Sequence, residues 1–191
     1  MDKLLSTDDI IDIIGYPISM KLYDDLKKVR RIDELFDPTT GDACLVLVRN
    51  GPNVGHWVVL TYDDGVVTFF DSYGGFIDDQ LDHTPIRYRP DMSRLLHGYR
   101  GHVEYNPFQL QRYAADVATC GRWCALWVCK RDMMVDSFGE VLESFRRIID
   151  LDQLVTILTE EELAALQNGV RPQDYIVPPA LKVNCVAEYI P

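Results

Sequence analysis

The sequence has no long apolar run, little positive charge and no regular spacing of cysteines, and each shortage closes off a class of protein. Across 191 residues no stretch is apolar for long enough to span a bilayer. The opening segment MDKLLSTDDIIDIIG is too acidic, and its apolar run too short, for a secretory signal. A soluble, intracellular protein with no membrane partner is therefore expected. Lys and Arg number 19 against 30 Asp and Glu, giving a net charge of −11. That field repels phosphate, so nucleic acid is not expected as a partner. The one basic cluster, Lys27-Lys28-Val29-Arg30-Arg31, follows Asp24-Asp25 and reads as a solvated helix face, and Arg87-Tyr88-Arg89 is equally unspecific. Five cysteines (44, 120, 124, 129 and 185) form no C-x-x-C pair, which argues against a disulfide framework and suits a reducing compartment. Cys120, Cys124 and Cys129 share one helix at spacings that match no usual zinc pattern, and neither a metal nor a cofactor is expected. Repeats, low-complexity tracts and linkers are missing too, so residues 1–191 read as one domain.

What is present is core material: 47% of the residues are hydrophobic. Ser6-Thr7-Asp8-Asp9 ahead of Ile10, Ile11, Ile13, Ile14 and Gly15 predicts a capped, one-sided helix. One or two short helices follow over 22–36, then a buried strand at 43–48 in which Cys44 is a small core residue. Residues 55–62 and 66–73 are predicted strands joined by Asp63-Asp64-Gly65, a strong hairpin signal. Short helices at 78–81 and 91–96 and a strand at 102–106 come next. A helix from about 120 to 132 and another over 138–149 follow. A third helix is predicted to begin at the capping box Thr159-x-x-Glu162 and to stop at Gly169, before an extended, proline-bearing tail.

Cys120 is where this pattern points to chemistry. It stands between Thr119 and Gly121 at the mouth of an apolar helix through Ala125, Leu126, Trp127 and Val128. Unpaired N–H groups and the positive end of the helix dipole favour thiolate there, and the thiolate is the nucleophile. The same N–H groups can receive an oxyanion if another donor helps, and Gln111 is the candidate donor, with Gln109 as alternative. A base is still needed. An Asp64-Gly65 turn sets His56 opposite Tyr73 and diagonal to Asp71, whereas an Asp63-Asp64 turn sets it directly opposite Asp71. Either register puts His56 and Asp71 on one face of the sheet, as base and orienter of a triad. A lone strand histidine is ordinarily structural, and Cys120 is what tips the reading. His83, His97 and His102 lack such a setting.

In this order, His56-Trp57, Asp71-Ser72-Tyr73-Gly74, Gln111 and Cys120-Gly121 resemble the adenovirus maturation protease (adenain) and its relatives, the proteases that deconjugate SUMO. Gly55-His56-Trp57, Phe70 to Gly74, Tyr105-Asn106-x-x-x-Leu110-Gln111 and Thr119 to Arg122 are most similar to adenain-like proteases of large DNA viruses, virophages and related elements. The likeness runs over about residues 5–150, leaving a C-terminal helix and tail over 151–191. It implies an α+β, papain-like cysteine protease fold with a central mixed or antiparallel sheet packed against the helix carrying the nucleophile. It implies that His56, Asp71, Gln111 and Cys120 are catalytic, with Trp57 and Gly121 on the substrate side; core packing serves Trp57 equally well. It also implies a preference for small residues such as Gly-Gly at the cleavage site. The acid is Asp, as in the SUMO proteases, where adenain has Glu, and the interval from Gln111 to Cys120 is longer than in adenain. Adenain's DNA and peptide activators are not carried over. The function expected is a viral endopeptidase that processes capsid or scaffold precursors. It is expected to act as a monomer in the host-cell cytoplasm, the viral factory and the virion. A ubiquitin- or SUMO-directed isopeptidase is the alternative, and a binding module that has kept the fold without activity is a third.

Overall fold

The computed structural model describes residues 5–36, 39, 41–51, 54–114 and 116–167. Its elements are α1 (Thr7–Ile14), β1 (Ser19–Leu22), β2 (Ala43–Arg49), β3 (Gly55–Asp63), β4 (Val66–Phe70), α2 (Asp91–His97), β5 (His102–Tyr105), α3 (Cys120–Lys130), α4 (Val135–Phe145) and α5 (Leu151–Gln167). Short 3₁₀ helices occupy Tyr23–Lys28, Ile32–Leu35 and Asp79–His83. The result is α+β, with a five-stranded mixed sheet in the order β1-β2-β3-β4-β5. The two outer pairs are parallel and the two inner pairs antiparallel.

Alternation along the strands divides the core in two. Ala43, Leu45, Val59 and Phe70 face α1, α3, α4 and α5. Cys44, Val46, Val58, Leu60, Val67 and Phe69 face α2 and the first two 3₁₀ helices. The α3 side carries the candidate site. There Trp127 stacks on Phe70, with ring centroids 5.5 Å apart, and donates from Nε1 to Thr61 at 3.2 Å. This fixes α3 lengthwise against β3 and β4. The predicted α1 cap is present: Ser6 and Asp9 form a reciprocal capping box, and Gly15 closes the helix at φ 81°. Ile10, Ile13 and Ile14 are buried by it, each stabilising the fold by about 2 kcal/mol.

The β3–β4 register resolves the turn. Asp63 pairs Val66 and Val59 pairs Phe70, so the two-residue turn is Asp64-Gly65. Both turn residues have positive φ, 42° and 86°, as the twist of a tight hairpin demands. Pairing ends at Phe70 while β3 continues back to Gly55, and the first turns of α3 pack against that uncovered part of β3.

Several expectations are corrected. α5 begins at Leu151, not at Thr159. Its start is capped by Asp150, whose Oδ1 accepts from the N–H groups of Asp152 at 3.0 Å and Gln153 at 3.3 Å. Thr159 lies buried within the helix, and its hydroxyl bonds back to the Val155 carbonyl at 2.7 Å. The preceding helix covers Val135–Phe145 in place of 138–149. Strand β1, parallel to β2, was not expected. The predicted tail and Cys185 lie outside the described residues. Among the described residues, no helix is long and apolar enough to cross a membrane.

Candidate active site

Cys120 is the first residue of α3 and is buried, only 6% exposed. His56 lies on β3, and Asp71 immediately follows β4 where that strand leaves the sheet. His56 Nε2 and Asp71 Oδ1 are 2.8 Å apart, with both side chains buried. The same Asp71 oxygen accepts the Tyr73 N–H at 2.9 Å, so the carboxylate is held from two directions. With Nε2 bound to Asp71, Nδ1 is the ring nitrogen left for Cys120, with which His56 also shares a hydrogen bond. The expected strand over 66–73 ends at Phe70, so His56 and Asp71 meet just beyond the paired part of the hairpin, and Tyr73, outside the strand, stacks on the imidazole at 4.5 Å.

Electrostatics follow from these contacts. Burial disfavours the charged imidazole, but the Asp71 carboxylate and the bonds to Asp71 and Cys120 outweigh it and push His56 up to about 10. Burial likewise raises the Cys120 thiol, but the His56 bond and charge, with backbone hydrogen bonds from Trp57 and Gly121, hold it below the ordinary thiol value. Each group therefore favours the charged form of the other. The other described cysteines differ. Burial raises Cys44 to about 12 and Cys124 well above the ordinary value, and Cys129 contacts the Ile13 carbonyl.

Gln111 joins this group through its amide. Its Oε1 accepts from the Ser72 hydroxyl at 2.8 Å, and its Nε2 donates to the Tyr73 hydroxyl at 3.3 Å. The NH₂ is thereby turned toward Tyr73, which itself lies on the His56 ring. Gln109, the alternative donor, spends its amide on the Gln111 carbonyl at 3.3 Å. Sequence reasoning gave no role to Asn106, which is 1% exposed and donates from Nδ2 to the Asp71 carbonyl at 2.7 Å and to Phe108 at 2.9 Å. Its place in the Tyr105-Asn106-x-x-x-Leu110-Gln111 stretch was the available signal. Gly74 has φ 69°, and a Cβ there would lie 2.5 Å from the Phe108 carbonyl carbon, so only glycine fits this crossing.

Trp57 and Gly121 meet beside the thiol. A Cβ on Gly121 would come within 2.9 Å of Ile10 and 3.4 Å of Trp57. Together with Ser6, Thr7, Arg49 and Cys120 they line a hollow of about 410 Å³ open to the nucleophile. Half-buried Trp57 therefore serves both the core and the hollow. A larger hollow, about 910 Å³, lies at the Tyr62 end of β3 and touches none of these residues. The rival histidines stand apart. His97 is exposed on α2, and His102 pairs with Val66, at the far end of β4 from Asp71. Among the described residues, no group of three or more His, Cys, Asp or Glu side chains is placed to hold a metal ion.

No protein-family profile matches the sequence. Among solved structures the chain is similar to the central domain of the uncharacterized Lpg1148 protein from Legionella pneumophila, at 16% identity and a TM-score of 0.44. That match covers 87% of this chain and 99% of the other. It is also similar to ChlaDub1 from Chlamydia trachomatis, at 10% identity and a TM-score of 0.45, covering 88% and 95%. Among curated proteins, uncharacterized protein V9 of Sputnik virophage is 34% identical over 166 residues, which is 81% of this chain and 93% of that protein. At that identity and coverage, the chain belongs to the family of the Sputnik virophage V9 protein.

Proposed function

We propose that this chain is a cysteine endopeptidase that processes capsid or other virion precursor polypeptides. One observation carries the reading: a buried thiol at a helix start, hydrogen-bonded to a buried histidine whose other ring nitrogen is held by a carboxylate at 2.8 Å. Its relative in a virophage supports a viral setting, with action in the host-cell cytoplasm or viral factory and in the virion.

In this mechanism the Cys120 thiolate attacks a peptide carbonyl carbon, the C–S bond forms, and the carbonyl π pair moves onto oxygen. Gln111 Nε2 and the backbone N–H of Cys120 receive that oxyanion. The tetrahedral adduct collapses by breaking the C–N bond, and the His56 imidazolium gives its proton to the leaving amine. Neutral His56 then takes a proton from water, hydroxide adds to the thioester, and the acid leaves as the thiolate re-forms. Asp71 fixes the ring and stabilises its charged form. Trp57 and Gly121 form the wall along which substrate lies, a setting that suits small residues at the cleavage site.

The test is incubation of the purified protein with structural precursors from its source virus, and in parallel with ubiquitin and SUMO conjugates, using Cys120→Ala as control. Discrete precursor cleavage, lost in the variant, is the expected outcome. Cleavage of conjugates alone would assign the same machinery to an isopeptidase. Inactivity on every substrate, together with equal alkylation of all thiols, would leave a binding module.

A further inference from the structure

Asp152, in the first turn of α5, lies beyond the stretch that carries the family resemblance, and no role in the chemistry above has been given to it. It is 2% exposed, and a buried carboxylate is costly unless its oxygens are satisfied. Oδ1 accepts the Thr119 hydroxyl at 2.5 Å. Oδ2 accepts the backbone N–H of Arg112 at 3.1 Å and its Nε at 3.2 Å. Thr119 directly precedes Cys120, and Arg112 directly follows Gln111. One carboxylate therefore ties both ends of the connecting segment to the same point on α5.

Two further details separate this from ordinary helix capping. The α5 start is already capped by Asp150, so Asp152 is not needed there. Thr119 occupies the N-cap position of α3, where a threonine oxygen ordinarily accepts from the first turn, yet it makes no such bond. Its hydroxyl is committed to Asp152, and the leading N–H groups of α3 are left with no side-chain cap from it. We propose that Asp152 is a positioning residue that builds the oxyanion hole, holding Gln111 in place through Arg112 and keeping the α3 N-terminus open through Thr119. This rests on the reading of Cys120 as an acyl-transfer nucleophile.

The test uses the full chain and two reactions. Hydrolysis of a fluorogenic peptidyl-Gly-Gly amide passes through an oxyanion. Alkylation of Cys120 by iodoacetamide displaces iodide and forms none. Asp152→Ala is expected to lower kcat about 100-fold with KM within about twofold, while alkylation of Cys120 stays within about twofold of wild type. Thr119→Val should lower kcat about tenfold and Thr119→Ser should restore it. Wild-type kcat in Asp152→Ala, or parallel loss of turnover and alkylation, overturns the proposal. Should Asp152→Ala not fold, the threonine pair decides, and equal kcat in Val and Ser variants overturns it. Wild-type protein that neither hydrolyses the amide nor favours Cys120 in alkylation fails earlier, at the reading of the site, and takes this inference with it.

Discussion

The first and second turns of α3 hold the same chemical group with its acidity shifted in opposite directions. Cys120 and Cys124 are both buried, one turn apart, and both bond to the backbone of Trp57. Cys120 receives a hydrogen bond from that residue, whereas the Cys124 thiol reaches its carbonyl at 3.4 Å. Burial pushes both thiols up, yet Cys120 ends below the ordinary value and Cys124 well above it. What differs is the end of the helix and the charged imidazole that meets it there. A single turn separates a thiol held below its ordinary value from one held well above it, so burial on its own does not set a thiol's acidity.

The comparison breaks most sharply at the nucleophile. Cys120→Ala should lower kcat by at least about 10⁴-fold, whereas Cys124→Ala should leave it within about threefold, both read from steady-state hydrolysis. Gln111→Ala should lower kcat by about 10²- to 10³-fold while leaving iodoacetamide labelling of Cys120 unchanged, because only acyl transfer needs the oxyanion donor. His56→Ala removes the cation that separates the two turns. Labelling of Cys120 at pH 6 should then fall at least about tenfold, toward the rate of Cys124. A wild-type rate there would show that the helix end alone lowers the thiol.

The pH profile sharpens the same contrast. His56 is raised from 6.5 to about 10, so between those values its ring holds a proton in the folded protein that it lacks in the unfolded chain, offset in part by the lowered Cys120 thiol. The stability this contributes is full below about 6.5 and declines as pH rises through about 10. Activity should persist from neutral pH and fall along an alkaline limb near pH 10, where the imidazolium that protonates the leaving amine is lost. A limb near pH 7 would mean that Asp71 does not hold the charge. The smallest effect belongs to the second turn, where Cys124→Ala should cost about 1–2 kcal/mol in denaturant unfolding through a small cavity.

Much of this site was legible because its signals are local. The Asp64-Gly65 turn, read with the two-residue period of strands, brought His56 and Asp71 to one face, and the structure has that turn, although pairing stops at Phe70 and the two side chains meet beyond it. The Thr119-Cys120-Gly121 step ahead of an apolar run marked the start of α3. What escaped depends on distant partners. Strand β1 alternates over only four residues, Ser19 to Leu22, too short a run to mark a strand, and its pairing with β2 is set across the chain. Thr159 and Glu162 match a capping box in spelling, but the buried Thr159 receives the Arg122 guanidinium at 2.6 Å and lies inside α5. Asp152 carried no signal, since neither of its partners is near it in sequence.

The β3–β4 hairpin has a consequence for the life of the chain before it is folded. His56 and Asp71 are 15 residues apart and belong to one tight-turned unit, a local contact of the kind that forms early. Cys120 lies far downstream in sequence, on a helix whose apolar residues need the sheet to pack against. Where the hairpin forms before α3 docks, His56 and Asp71 are expected to meet without Cys120, whose thiol then keeps its ordinary, largely protonated form. A lowered Cys120 thiol is therefore expected as a late product of tertiary assembly.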